Sequence, residues 1–407
     1  MARRRPDEAD DLAILAPDRR EHAAALCDFG AKVFSHGGYY EMRDRARQGY
    51  VLGGHYDWAA SRIGLIGGLL VTHFGVWDYQ MRIGVARVRA GGIGMVGTDA
   101  DYRQRGLMER TAQASVEAMR DLGYDLSILF GIESFYDRFG YVRAWSETTW
   151  TVRVADLPAA RPGVRVRRFV PFWRADIDAI YNRDNAAMTG TAVRPTYRRC
   201  MYPRPMEGYR WTDARGRTSG YVVVLRRGVQ VECGEVGGDI EQALRVLAKL
   251  ARRRCCQEVQ FSGFSESHPL IRRLREGACR AETRYLRAGG AMVATINLAS
   301  TLHKMVPELE RRLAASHLGR WGGSLLVAGR RERVTLRVDR SRIKVEEGRA
   351  AEHAICGGPR IAQLLIGTDD PAAIIDAAGM KTTGEARRIA EVLFPNQHPQ
   401  LSLRDRF

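Results

Sequence analysis

The chain has 407 residues, a formal net charge of +17 and a hydrophobic content of 45%. That length predicts two or three domains, and that hydrophobic content excludes a predominantly disordered chain. The Lys and Arg residues are spread along the whole sequence without a block of about five or six like charges, a pattern typical of a solvated surface with some attraction for the phosphates of a ligand.

The cysteines and the apolar runs indicate in which cellular compartment the protein is expected. Seven cysteines show no paired C-x-x-C spacing, which argues against a zinc site or a disulfide framework and favours a reducing cytoplasm. The basic N-terminus lacks the apolar segment of a signal peptide. The longest apolar run, Ile63–Val71, is far shorter than the roughly 20 residues of a membrane span. We therefore expect a cytoplasmic protein without a membrane span and without a metal.

In chain order, the first 156 residues alternate strand-like and helix-like segments. One helix is expected to begin after the capping residue Asp18, a second over Tyr39–Gln48, and a third over Met108–Leu122, where apolar residues recur every three or four positions. Strands are predicted over Leu12–Leu15, Ser61–Phe74, Met81–Val88, Ile93–Val96, Leu126–Phe130 and Ser146–Val154, with the second of these interrupted by glycines. This order predicts a mixed α/β domain.

A basic loop joins the strand ending at Gly97-Thr98 to the third helix. Its residues are Arg103, Gln104, Arg105, Gly106, Leu107 and Met108. The first amides of a helix lack internal partners and lie at the positive end of the helix dipole, so strand, basic glycine loop and helix together predict an anion site, such as one for a pyrophosphate. The loop contains neither the GxGxxG fingerprint nor a Lys-Ser/Thr pair after a glycine loop, which excludes the common nucleotide motifs.

Residues 102–110 (YRQRGLMER) and 135–141 (FYDRFGY) together resemble the enhanced-intracellular-survival (Eis) family of GNAT N-acetyltransferases. The usual GNAT loop ends in Gly or Ala, and here Met108 stands in that place. The resemblance implies acetyl-CoA as cosubstrate and direct attack of an amine on the thioester. By position in the motif, the coenzyme contacts should lie at Val96, Gly97, Thr98, Arg103, Gln104, Arg105, Gly106, Leu107, Met108, Ile132 and Glu133. The segment from Glu133 to Tyr136 is a residue shorter than the usual pattern.

Acetyl transfer to an amine requires an acid for the departing thiolate and a base for the amine. The phenol of Tyr136, with an unperturbed pKa of about 10, is the candidate acid, and the resemblance gives it this role. The alternative is a packed tyrosine with no chemical part. In the Eis family the base is the chain's own terminal carboxylate, which implies the α-carboxyl of Phe407. An unperturbed α-carboxyl has a pKa of about 3.5, so partial desolvation would have to raise it. Asp405 also lies near this end and calls for an Asp405→Asn control.

The remaining chain predicts two further units, giving domains at 1–156, 164–291 and 292–407. The second unit echoes the first, but its strand-to-helix junction, Val236–Glu241, carries the carboxylates of Asp239 and Glu241 where a pyrophosphate would need positive charge. We expect this GNAT-like unit to be degenerate and to bind no cofactor. The third unit resembles the sterol-carrier-protein-like domain of the same family. The expected fold is therefore α/β (α+β), with two tandem GNAT-like domains before that domain.

The resulting hypothesis is an acetyl-CoA-dependent N-acetyltransferase that acts on an aminoglycoside-like polyamine or a lysine side chain. By resemblance it should form a homo-oligomer, with a hexamer as the expected form. One alternative is a non-catalytic protein that binds a lipid or small ligand through its last domain. Another is a nucleic-acid-binding protein driven by the positive charge, although the sequence indicates no specific nucleic-acid partner.

Overall fold

Three β-sheets with helices packed against them organise the chain in the computed structural model, which describes residues 11–35, 38–159, 165–170, 174–196, 206–227 and 230–407. Residues 1–10 and residue 164, which open two of the predicted domains, lie outside these ranges. The expected mixed α/β class is confirmed, because strands and helices alternate through each of the three regions.

The first sheet has the strand order β1-β2-β3-β4-β5-β14-β6 within the described residues, and β14 (Ala288–Thr295) comes from much later in the chain. Its strands and helices up to residue 143 are β1 (Ala13–Leu15), α1 (Arg19–Phe34), α2 (Tyr39–Arg47), β2 (Arg62–Ile66), β3 (Leu69–Ile83), β4 (Ala86–Thr98), α3 (Leu107–Asp121), β5 (Leu126–Ile132), α4 (Glu133–Tyr136) and β6 (Val142–Arg143). As predicted, Asp18 caps α1, with its carboxylate accepting from the amides of Arg20 and Glu21.

Glycines divide two of the predicted strands in this region, one of them as expected. Ser61–Phe74, predicted as a strand interrupted by glycines, is two strands, because Gly67 and Gly68 have φ of 57° and 78° and turn the chain between β2 and β3. Two successive positive φ values make a tight hairpin turn that glycines adopt without strain. Met81–Val88 is likewise divided between β3 and β4 at Gly84, so Ile93–Val96 is the far part of one long strand.

The second sheet has the order β13-β7-β12-β11-β10-β9-β8 in the described part of the chain. Its elements, together with the strand that follows them, are β7 (Glu147–Arg153), β8 (Val166–Phe169), α5 (Ala175–Asp184), β9 (Met206–Thr212), β10 (Thr218–Arg227), β11 (Gln230–Gly237), α6 (Ile240–Arg253), β12 (Glu258–Ser262), α7 (Pro269–Arg275), β13 (Arg280–Arg284) and β14 (Ala288–Thr295).

The first two sheets exchange one strand each. The strand β7, predicted as the last strand of the first domain, pairs with β12 in the second sheet, and its Trp150 and Val152 are buried in the core of that sheet. In return β14 pairs with β5 in the first sheet, so the predicted boundary between 291 and 292 lies inside a strand. The two units therefore complete each other's sheets.

The third region packs on the first sheet. It comprises α8 (Leu298–Ala314), β15 (Gly323–Ala328), β16 (Arg333–Asp339), β17 (Arg342–Glu347), β18 (His353–Cys356), α9 (Ile361–Ile366), α10 (Pro371–Ala377), β19 (Lys381–Thr383) and α11 (Ala386–Leu393). Its sheet order is β17-β16-β15-β18-β19. Leu302 and Leu309 of α8 belong to the same buried cluster as Val88 and Ile128 of the first sheet, so the two regions share one core.

Among the described residues, no helix combines the length and the apolar content that crossing a bilayer requires. In the same residues, no group of His, Cys, Asp and Glu side chains has the geometry of a metal site.

Candidate functional site

The strand–loop–helix junction between β4 and α3 has an open helix end. Gly106 precedes α3 in the left-handed conformation, with φ of 74°, and no side chain caps the helix. A Cβ at Gly106 would meet no atom within 4 Å, so the backbone there is accessible. The guanidinium groups of Arg103 and Arg105 bond to the carbonyls of Thr98 and Asp101, each at 3.3 Å, and both side chains are exposed.

A cavity of about 240 Å³ lies over this helix end. Arg138 borders it from the FYDRFGY segment and pairs with Glu109 at 3.3 Å. Arg138 was not among the predicted site residues, although it is an arginine inside a recognised motif. The side chain of Met108 is buried and packs in a cluster with Ile93 and Met119. The residues lining the cavity are Thr98, Tyr102, Arg103, Gln104, Arg105, Gly106, Leu107, Met108, Glu109, Phe135 and Arg138.

The strands β4 and β5 separate beside this junction. They pair in parallel only from Ala90↔Leu126 to Ile93↔Leu129, after which β4 continues along β3 and β5 continues along β14. A bulge marks the separation, because the register with β3 changes between His73↔Gly97 and Gly75↔Gly94. We call the resulting gap the first cleft.

The bulge is held by a buried histidine. Met95, whose φ of 51° is unusual for a side-chain-bearing residue, accepts a hydrogen bond from His73 Nδ1 at 2.8 Å. The hydroxyl of Tyr56 donates to His73 Nε2 at 2.8 Å, which fixes the neutral tautomer. Burial lowers the pKa of His73 to about 4, although its bond to Met95 opposes the shift. The imidazole therefore stays neutral near pH 7.

The amides of β4 in the first cleft alternate in direction. The Asp99 amide donates to Val71 O at 2.9 Å, so the pair His73↔Gly97, two residues back, is also hydrogen-bonded and directs the Gly97 amide to β3. The Thr98 amide, which lies between these two hydrogen-bonded pairs, then points away from β3, toward the first cleft. Of these two predicted backbone groups, Gly97 is thus the one whose amide points away from the cleft.

Tyr136 reaches the cleft from the face that carries α3. Its ring lies over Gly131, where a Cβ would approach Tyr136 Cε2 to 2.3 Å, and meets Tyr141 edge-on at 5.9 Å. Burial raises its pKa to about 12, so the phenol is protonated over the neutral range. The hydroxyl can act as a proton donor and would be a poor base.

Phe407 enters the cleft from the opposite face of the sheet. Its ring lies against Gly92, where a Cβ would come within 2.2 Å of Phe407 Cδ1, and packs between Tyr79 at 6.0 Å and Phe130 at 5.8 Å. A Cβ on Gly94 would lie 3.1 Å from the Phe407 carboxyl carbon. Glycine at these two positions is what gives Phe407 its space.

Ile132 and Glu133 lie at the end of β5 and the start of α4. Ile132 is 55% exposed at the end of β5, and the Glu133 amide donates to Arg287 O at 2.9 Å. Neither residue lines the cavity over α3. The structure thus places the loop and Thr98 around the cavity over α3, and Tyr136 and Phe407 on opposite faces of the sheet, at Gly131 and Gly94.

Comparisons with known proteins match one part of the sequence. Residues 24–144 match the family model of the GNAT acetyltransferase domain. An uncharacterized N-acetyltransferase of Streptomyces coelicolor is 33% identical over 168 residues, which are 39% of this chain and 39% of that protein. The chain thus matches well under two thirds of the length of this curated relative.

Solved structures extend the similarity of fold to almost the whole chain. A GCN5-related N-acetyltransferase from Kribbella flavida has a TM-score of 0.73 at 19% identity, covering 96% of this chain and 97% of that one. One from Anabaena variabilis has a TM-score of 0.73 at 14% identity, covering 96% and 99%. Eis1 from Mycobacterium abscessus has a TM-score of 0.66 at 15% identity, also covering 96% and 99%. Residues 24–144 are therefore similar in sequence to a GNAT acetyltransferase domain, and the chain as a whole has a fold similar to that of Eis1.

Proposed function

We propose that this protein transfers an acetyl group from acetyl-CoA to a primary amine by direct attack within a ternary complex. The observation that carries the proposal is the first cleft, which an open helix end adjoins on one side and which Tyr136 and Phe407 enter from opposite faces of the sheet. If acetyl-CoA and the amine approach from these two faces, they can react directly between the diverging strands, without a covalent enzyme intermediate.

The junction before α3 fits the pyrophosphate of the coenzyme. The uncapped first turn offers backbone amides at the positive end of the helix dipole, and Arg103, Arg105 and Arg138 add charge around the cavity. Since the Met108 side chain turns into the core, the large residue at this position leaves the space over the helix end open. The coenzyme would supply an activated thioester. These residues and the amides of Val96 and Thr98 would bind and orient the coenzyme.

Tyr136 is our proposed general acid. Its raised pKa keeps the proton on the phenol until a thiolate forms nearby, and the surrounding aromatic rings exclude water. The α-carboxyl of Phe407 is our proposed general base, and its carbon lies beside Gly94 at the mouth of the first cleft. The amine would lose its proton to this carboxylate on the face away from Tyr136.

The acceptor is proposed to be a cationic amine of the aminoglycoside or lysine type. A second cavity, of about 480 Å³, borders residues 398–401 and Arg406, one residue from Phe407. Its charged wall is mostly acidic, with Glu147, Glu232, Glu266 and Glu282 against Arg284 and Arg406. Such a wall favours positively charged molecules near the cleft.

Further proposals concern the domains, the compartment and the assembly. The domains would be 1–156, 164–291 and 292–407 with β7 and β14 exchanged, and the last would be a sterol-carrier-protein-like unit. The protein would be cytoplasmic and would assemble into a homo-oligomer, expected to be a hexamer, which light scattering of the full chain tests. Lipid binding as the main activity is less well supported, because Leu325, Leu336 and Ile355 of the third sheet are buried in the shared core.

The decisive experiment is calorimetric titration of the full chain with acetyl-CoA, followed by a thiol-release assay over a panel of aminoglycosides, linear polyamines and lysine peptides. We expect saturable binding and amine-dependent thiol release. Absence of acetyl-CoA binding would overturn the proposal, and salt-sensitive retention of DNA without coenzyme binding would favour the nucleic-acid alternative.

A further inference from the structure

The second sheet contains a cleft equivalent to the first. Its strands β11 and β12 pair in parallel only from Val231↔Val259 to Cys233↔Phe261 and then separate. A register change in the pairing of β10 with β11 lies at Gly234, the residue that follows the last parallel pair. Gly234 thus corresponds to Gly94 of the first sheet, and we call this gap the second cleft.

One segment, residues 398–407, passes both clefts; we call it the tail segment. A Cβ at Gly234 would lie 3.5 Å from Leu403 Cδ1, and one at Gly263, just after β12, would lie 3.8 Å from Leu403 Cγ. Further along, Phe407 lies against Gly92 and Gly94 in the first cleft. The second cleft therefore holds the chain that delivers Phe407 to the first.

A buried ion cluster fixes the tail segment in the second cleft. Arg194 donates to both carboxylate oxygens of Glu235, at 2.9 and 2.6 Å, and to Asp405 at 2.9 to 3.2 Å. Its guanidinium carbon also lies 3.5 Å from the centre of the Tyr181 ring. Thr196 donates to Asp405 at 2.8 Å.

The tail segment also binds Glu235 directly. The Ser402 hydroxyl donates to Glu235 Oε2 at 2.5 Å, and Arg404 donates to Glu235 Oε1 at 2.8 Å. Two guanidinium groups thus face the carboxylates of Glu235 and Asp405, and a third buried carboxylate, that of Asp178, lies 4.0 Å from Arg194. Burial raises the pKa of Glu235, but the charges of Arg194 and Arg404 outweigh this and hold it below its ordinary value. Glu235 therefore remains ionised at neutral pH.

The residue between the cluster and Phe407 is also held. Arg406 pairs with Glu147 of β7 at 2.7 Å, and its guanidinium carbon lies 4.2 Å from the centre of the Phe130 ring. Since Asp405 is 1% exposed and only Arg406 separates it from Phe407, little freedom is left in the position of Phe407.

We propose that Arg194 is a positioning residue for acetyl transfer, which acts by clamping Asp405 and Glu235 together so that Phe407 is held in the first cleft. The proposal rests on the proposed function of Phe407. It assigns to the second sheet a part in the reaction: its cleft holds the segment that carries the base. A purely structural cluster would stabilise the fold without any selective effect on turnover.

The test compares Arg194→Lys with the milder Thr196→Val, and with Arg312→Lys as a matched control. Arg312 is another buried arginine, and its guanidinium pairs with Glu308 at 2.6 Å and donates to Leu393 O at 2.7 Å, outside the tail segment. We expect Arg194→Lys to lower kcat by about 100-fold, the scale of a misplacement of about 1 Å, with the Kd of acetyl-CoA unchanged within about twofold. Thr196→Val should have the same pattern with a smaller loss, and Arg312→Lys should keep kcat near that of the wild type.

Two further measurements separate positioning from stability. In a chain lacking Phe407, Arg194→Lys should cause no additional loss of kcat, because both changes act through the same group. Hydrogen exchange of the full chain should show faster exchange at residues 402–407 in Arg194→Lys and not in Arg312→Lys. This readout does not need activity, so it tests the clamp even if the proposed function fails in the thiol-release assay. Unchanged kcat in Arg194→Lys, equal losses in Arg312→Lys, or unchanged exchange of the tail segment would each overturn the proposal.

Discussion

The two strand–loop–helix junctions of this protein occupy the same place in their sheets and differ in what they leave open. Before α3, Gly106 leaves the helix end uncapped beneath a cavity with arginines around it. Before α6, Asp239 accepts from the Gln242 amide at 2.6 Å, and the Gly238 amide donates to Asp184 at 2.7 Å. The second helix end is thus already satisfied by protein carboxylates, where the first remains available for an anion.

The two clefts differ in the same way. The first holds Phe407 against glycine backbone, while the second is occupied by Leu403 and by the cluster around Glu235. The same strand order therefore surrounds an open helix end in the first unit and a helix end satisfied by side chains of the chain itself in the second. The prediction that the second unit binds no cofactor stays a prediction, and its junction gives the physical reason for it.

The largest effect should come from changing the length of the tail segment at Phe407. Deleting Phe407 or appending one glycine moves the carboxylate by up to about 3.5 Å in the first cleft, while the contacts of Ser402 and Asp405 in the second remain. We expect kcat to fall by about 10²–10⁴-fold, the range of general acid–base catalysis, with acetyl-CoA affinity and melting temperature little altered.

Phe407→Leu is the matched control for that experiment, because it keeps the carboxylate and removes only the aromatic contacts with Tyr79 and Phe130. It should retain far more turnover than the deletion. Full activity of the chain extended by glycine would eliminate the carboxylate as the base.

Tyr136→Phe should lower kcat by about 100-fold while acetyl-CoA affinity changes little, because only the proton donor is lost. Tyr141→Phe is the control: it removes the hydroxyl of a neighbouring buried tyrosine, which bonds to Ser127 at 2.7 Å. That variant should lose stability and keep most of its turnover. Equal turnover in the two variants would mean that Tyr136 contributes packing alone.

Replacing Arg103 and Arg105 together by Ala should weaken acetyl-CoA binding by about 1–3 kcal/mol, the scale of charge-assisted hydrogen bonds. Calorimetry measures the change, which should shrink at high salt because both side chains are exposed. The double variant Arg252→Ala/Arg253→Ala, in the last turn of α6, removes as much charge from the surface and should leave the affinity unchanged. The reverse result would remove the loop from the coenzyme site.

Local signals explain what the sequence could predict. The loop before α3, the helix that follows it and the aromatic motif at Tyr136 are each contiguous, so residue type and spacing were enough to find them. The strand β14 was missed because it begins with Ala288-Gly289-Gly290, residues with little preference for strands. The exchange of β7 and β14 between the two sheets depends on pairing between distant segments. No local sequence pattern indicates such pairing.

The ion cluster could not be predicted for a related reason. Asp405 and Arg194 are 211 positions apart in the chain, and Glu235 reads as an ordinary polar residue in a strand until its neighbours are known. Asp405→Asn, the control that the sequence suggested, is therefore unsuitable. Asp405 is buried against Arg194, so that change would disturb the tail segment itself.

The smallest effect concerns the second junction. Asp239→Ala removes the cap of α6 and should lower the free energy of unfolding by about 1 kcal/mol, measured by denaturant titration of the full chain. It should not create a second coenzyme site, because a Cβ at Gly238 would lie 2.3 Å from Ser219 O and the space over this helix end is filled by backbone. Calorimetric stoichiometry should thus stay at one acetyl-CoA per chain in both proteins. A second binding event in Asp239→Ala would show that the cap alone closes this junction, whereas two events in the unaltered chain would overturn the contrast between the two units.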